Sequence, residues 1–213
     1  DGDAATLEYA ASGVTTNIDI GNEFVTTSGL EPRNLTINVT GTVSGSTSYT
    51  VPRNLTLTDG TIDLGNNTLT VNGNITGSTV SGSGQIADAT TLNLGGGSTT
   101  TQEQTISGSI TLTRLTIDKQ FGSSPGNTED SRNTVNCGNT LTFRENGELN
   151  IVSGTLRFLT AAGLGGNDLV SLTITIGSST RRGVLQTGGT NITTGVVGTV
   201  NAQQGTNGDN SKV

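Results

Sequence analysis

Read as apolar and polar positions, the chain is a run of short alternations cut by turn formers. In "NLTLTDGTIDLGNNTLTVNGNITG", residues 54 to 77, Leu, Ile and Val alternate with Thr. A period of two is the signature of a half-buried strand. The stretch predicts three strands, at 55–58, 61–64 and 68–71. Their lead residues Leu55, Ile62 and Leu69 stand seven apart. Asp59-Gly60 and Gly65-Asn66-Asn67 separate them, because Gly tolerates positive φ and Asn or Asp can hydrogen-bond its own backbone. The rhythm returns at 141–158 with Leu141, Leu149 and Leu156. Shorter versions occur at 91–97, 109–118 and 170–177. "NLTI" at 34 and "NLTL" at 54 lie 20 residues apart.

Short strands at this spacing suit two architectures. In a parallel β-solenoid, three strands of about seven residues make one coil of about 20, and the coils stack. In an antiparallel hairpin series, consecutive strands pair through tight turns into a β-sandwich or jelly roll. The double interval of seven and the 20-residue echo favour an all-β, parallel β-solenoid or β-helix-like body, with the sandwich or jelly roll as the alternative. The polar interval 118–140 breaks the rhythm.

The ends differ from the body. Residues 1–27 lack the Leu-Thr rhythm and read as an extended N-terminal strand or arm. Its anchors are Leu7, Tyr9, Val14, Ile18, Ile20 and Phe24. Two roles fit: a first strand pairing inside the domain, or a strand that completes a neighbouring subunit's sheet. Residues 28–200 form the all-β body, and 201–213 a polar C-terminal tail.

Composition narrows the function. Of 213 residues, 32 are Gly, aromatics are 3% and charged residues 13%. Disorder goes with high charge and few β-branched residues, and this chain has the reverse, so it reads as ordered with a thin core. The formal net charge is −7 and Lys occurs only at 119 and 212. That argues against nucleic acid, which needs a basic patch, and against docking on an anionic membrane. No apolar run approaches the ~20 residues that span a bilayer. The Thr-, Ser-, Asn- and Gly-rich, Lys-poor composition predicts an extracellular or cell-surface location. A first residue that is Asp fits a mature chain after leader removal, or equally a fragment of a longer chain. Cys137, the single cysteine, reads as a small buried residue.

Candidate chemistry is sparse. With no His, a nucleophilic triad with a His base and a His metal site are both excluded, and one Cys cannot make a thiolate zinc site. Carboxylates remain, since polysaccharide-active β-helix enzymes can work with Asp, Glu, Lys and Arg. The densest groups are Glu129, Asp130 and Arg132 in the polar interval, and Glu145 with Glu148. The first reads as a solvated loop and the second as exposed strand ends. Asp59 and Asp63 lack the surroundings of a calcium loop. The expectation is no enzyme and no cofactor. Thr-x-Thr pairs at 56/58, 68/70, 111/113, 140/142 and 173/175 could order water on a flat face. Their unequal intervals argue instead for Thr as a β-favouring surface residue.

Six sequons, at Asn34, Asn38, Asn54, Asn66, Asn74 and Asn191, are candidate glycosylation sites. With 21 Asn and 60 Ser or Thr in the chain, chance gives about six, so the number carries no information.

"LTLTDGTIDLGNNTLTVNGNITG" and "QTISGSITLTRLTIDK" resemble the β-strand-repeat regions of bacterial secreted surface proteins, the adhesin and extracellular filament class. The resemblance covers roughly residues 34–177 and carries over no catalytic or ligand residue. It implies an extended, extracellular, structural or adhesive protein. A chain of this length would hold seven or eight coils, short for a stalk and suited to a subunit that polymerises. The first expectation is therefore a structural subunit whose partner is itself, joined head to tail as a homopolymer, with glycans as a second partner class. A cell-surface adhesive or carbohydrate-binding module is the alternative. It ranks lower because sugar-binding faces stack on aromatics, and this chain has two Tyr, four Phe and no Trp.

Overall fold

The computed structural model describes residues 5–11, 18–20, 32–80, 83–95, 103–119, 134–159, 164–166, 171–178, 183–187 and 199–202. It is all-β with almost no helix. The strands are β1 (Thr6–Ala11), β2 (Ile18–Asp19), β3 (Asn34–Ser44), β4 (Tyr49–Val51), β5 (Leu55–Asp63), β6 (Thr68–Val71), β7 (Ile75–Thr76), β8 (Gly84–Ile86) and β9 (Thr91–Gly95). They continue with β10 (Gln104–Ser107), β11 (Ile110–Asp118), β12 (Thr134–Cys137), β13 (Leu141–Phe158), β14 (Leu164–Gly166), β15 (Thr173–Ile176), β16 (Gly183–Thr187) and β17 (Thr199–Ala202).

Every ladder between these strands is parallel; among the described residues the one antiparallel contact is an isolated bridge between Ser78 and Ser109. The antiparallel hairpin series, the alternative expectation, is therefore not how the described residues pair. Parallel partners need a crossover connection of a dozen or more residues, which the intervening strands supply here. Seven strands, β5, β7, β10, β12, β13, β11 and β8, close into a ring, and the remaining strands pair outside it.

Three rows of pairing organise the whole. The first runs β1, β3, β5, β7, β10, β12, β13, β16. The second runs β2, β3, β5, β8, β11, β13, β14. The third runs β4, β6, β9, β11, β13, β15, β17. The lead residues read from the sequence fall one to a row: Leu55 in the first, Ile62 in the second, Leu69 in the third. All three are buried.

The long strands pass through more than one row. In β5, the expected turn at Asp59-Gly60 is a bend within one strand. Gly60 has φ +89°, and a Cβ there would collide with the carbonyl oxygen of Val39. In β13, the turns expected at Glu145-Asn146-Gly147 and Ser153-Gly154 are likewise bends. Asn146 and Gly154 have φ +56° and +90°, which Asn and Gly tolerate best.

The core is the set of inward positions stacked row by row. Leu35, Leu55, Ile75, Ile106, Cys137 and Phe158 lie over one another in the first row. Leu69, Leu92, Leu115, Leu149 and Ile174 do so in the third. Each is at most 1% exposed. Alternation in β3, where every second residue from Leu35 to Val43 is buried, is the same pattern along the strand.

Candidate functional site: strand edges and asparagine row

The N-terminal segment is seated on the chain's own body. β1 pairs with β3 from Thr6 opposite Asn34 to Ala11 opposite Val39, and β2 pairs Ile18 with Val43. Tyr9 is buried, while Leu7, Ile18 and Ile20 pack half-buried against the core. Val14 and Phe24 lie outside the described residues. Among the described residues β1 has one ladder partner, β3, on one side. At the opposite end β16 has β13, β14 has β13, and β17 has β15. Among the described residues each row thus begins and ends on a strand with a single neighbour, and an open parallel edge is a template for another strand.

The candidate glycosylation residues divide. Asn34, Asn54 and Asn74 form a row of their own in the first ladder. The side-chain Oδ1 of Asn34 accepts from the backbone N–H of Asn54 at 3.2 Å, and that of Asn54 from Asn74 at 2.9 Å. Asn74 Oδ1 accepts from the backbone N–H of Thr105 at 2.9 Å. The residue after each Asn (Leu35, Leu55, Ile75) points into the core. The next one (Thr36, Thr56, Thr76) stacks on the surface. Asn-apolar-Thr is the unit that repeats at this corner; Asn54 and Asn74 are exposed and Asn34 is half-buried. Asn38 and Asn66 are exposed. Asn191 lies outside the described residues.

The carboxylate candidates are tied to the scaffold. Asp59 Oδ1 accepts from the N–H of Gly60 at 2.8 Å, and Asp63 Oδ1 from that of Gly65 at 2.9 Å, so both hold bends. Glu148 lies opposite Arg114 in the third row, with 3.9 Å between carboxylate and guanidinium. Glu145 is exposed. Glu129, Asp130 and Arg132 lie outside the described residues. Sequence reading missed Arg144. Its guanidinium reaches the Asp88 carboxylate at 2.9 Å, the Ile86 carbonyl at 2.5 Å and Gln85 Oε1 at 2.6 Å. Thr113 donates to the same Asp88 oxygen at 3.0 Å. These contacts clamp neighbouring turns of chain and use the charges structurally. Among the described residues no group of three His, Cys, Asp or Glu could hold a metal ion.

No family model, curated protein or solved structure matches the chain. What can be said of its chemistry comes from its own residues.

Two buried polar groups stand out. Lys119, 3% exposed at the end of β11, donates from Nζ to Gln104 Oε1 at 2.6 Å. Both N–H bonds of that amide are used in turn, to the carbonyls of Val71 at 2.9 Å and Gly73 at 2.7 Å. Burial pushes the lysine pKa down to about 8. Burial pushes the Cys137 thiol up to about 11, opposed in part by a backbone hydrogen bond with Asn139. A buried thiol with a raised pKa is a poor nucleophile, in keeping with the core role read for it. Among the described residues no helix is long and apolar enough to cross a membrane.

Proposed function

We propose that the chain is a structural subunit of an extracellular filament or surface assembly, polymerising head to tail through β-strand contacts. In this reading the three rows are the three faces of a parallel β-solenoid of about eight coils, and the closed ring arises because β5 and β13 turn corners from one face to the next. The observation that carries the proposal is the set of rows that start and finish on strands with one ladder partner among the described residues. A contact between unlike ends does not close on itself, so it propagates.

The disposition of polar groups supports the same reading. The Arg144–Asp88 and Arg114–Glu148 pairs bridge turns of the scaffold, and Tyr9, Phe143 and Phe158 are buried, which removes rings a sugar-binding face would use. Negative-stain microscopy of the native material is expected to show filaments. Deleting residues 1–20 removes the segment that carries Leu7, Tyr9, Ile18 and Ile20. Fibres of unchanged morphology from the truncated protein would reject the N-terminal segment as the connecting element.

A further inference from the structure

The first row changes phase along its length. One line of register runs Leu7, Leu35, Leu55, Ile75, Ile106, Cys137, Phe158 and ends at Thr187. In the early strands the inward pair is this line and the residue two further on: Leu7 with Tyr9, Leu35 with Ile37, Leu55 with Leu57. In the late strands it is this line and the residue two before: Val135 with Cys137, Leu156 with Phe158. By β16 the inward leucine is Leu185 and the line itself has reached Thr187.

Resting on the head-to-tail reading, we infer that the first row runs on between copies, with β16 of one copy in parallel register with β1 of the next, Leu185 beside Leu7 and Gln186 beside Glu8. The register must shift by an even number of residues, because an odd shift would turn Leu7 outward. A zero shift sets Leu7 beside Thr187. A shift of two sets leucine beside leucine and gives Leu7, half-buried at its end, an apolar neighbour. The outward side agrees. Arg157 Nε donates to Gln186 Oε1 at 2.8 Å, so the shifted register brings the acidic Glu8 of the next copy to a strand already braced by a guanidinium. The sides of the body offer little competing apolar surface: among the described residues the exposed large hydrophobics are Val80 and Leu159.

A cysteine pair tests the joint. Neighbouring strands lie about 4.8 Å apart, within disulfide reach, whereas a residue two further along is about 7 Å further down the strand. Native Cys137 is fully buried and serves as the background. The Glu8→Cys/Gln186→Cys variant, oxidised after assembly, is expected to give a series of reducible covalent multimers on a denaturing gel. Each single variant alone should stay monomeric, and mixing the two should stop at dimers. Ala10→Cys/Gln186→Cys should cross-link at least tenfold more slowly. Filaments without the Glu8–Gln186 cross-link, or with the Ala10 pair reacting faster, would overturn this joint and leave head-to-tail assembly standing. Neither filaments nor multimers would overturn both.

Discussion

Lys119 and Cys137 give the core opposite responses to alkaline pH, and replacing each one separates them. The lysine has its pKa at about 8 in the fold against 10.5 for a free lysine side chain. Between these values the unfolded chain holds the extra proton, so stability rises with pH across that window; below pH 8 the full penalty of burying the charge is present. About 2.5 units at 1.36 kcal/mol each is a penalty of about 3 kcal/mol. The thiol moves the other way, from 9.0 to about 11. The unfolded chain then loses its proton first, and stability falls between pH 9 and 11 by about 3 kcal/mol. In the wild type the two nearly cancel from pH 9 to 10.5, leaving a rise of about 1 kcal/mol between 8 and 9. Cys137→Ala should expose the lysine alone, with stability climbing from pH 8 to 10.5. Lys119→Met should expose the thiol alone, falling from pH 9 to 11. At pH 7 the methionine variant should change little, because relief of the buried charge is offset by a Gln104 oxygen left without its donor, at about 1–3 kcal/mol. The assay is urea unfolding at half-unit steps from pH 7 to 11, with the slope against pH as the readout. A flat Cys137→Ala profile between pH 8 and 10.5 would refute the buried-lysine reasoning.

Two further outcomes follow from the packing. Gly60→Ala places a Cβ against the Val39 carbonyl at φ +89° and should cost about 2 kcal/mol or more, seen as a lowered melting temperature. Asn54→Ala removes the acceptor for the Asn74 N–H and should cost about 1 kcal/mol, whereas Asn66→Ala, at an exposed turn, should stay within about 0.5 kcal/mol; equal effects would count against the asparagine row.

Much of the strand pattern was legible because most inward positions are apolar and the lead residues stand seven or eight apart. Leu55, Ile62 and Leu69 each found their own row, and parallel pairing agrees with the spacing. Turn chemistry misled at Asp59-Gly60 and at Asn146-Gly147. The signal for a local change of direction was correct, but pairing with the neighbouring strand resumes beyond the bend after a shift of register, so β5 and β13 run on. The Thr-x-Thr intervals failed for a different reason. Chain intervals of 20 and 31 residues (Thr56 to Thr76, Thr76 to Ser107) return to the same register, so unequal spacing did not exclude stacking. The Thr positions of the second and third rows are nevertheless interrupted by Gln85, Asn93 and Arg114. The asparagine row was half visible, as the 20-residue echo of "NLTI" and "NLTL". Its purpose was not, since a side-chain carbonyl bonding to the next turn of backbone leaves no trace in one strand. Arg144 was invisible because its partners stand 56 to 59 residues away in the chain.

The same indifference of register to chain interval bears on how such a sequence can change over time. Leu35 to Leu55 is 20 residues and Leu115 to Leu149 is 34, yet both pairs sit one strand apart. A segment gained or lost at a corner alters neither the apolar column nor the backbone ladder on either side. Natural variation in length should therefore collect between strands, and a foreign peptide grafted there should be carried on the outside of an undisturbed scaffold.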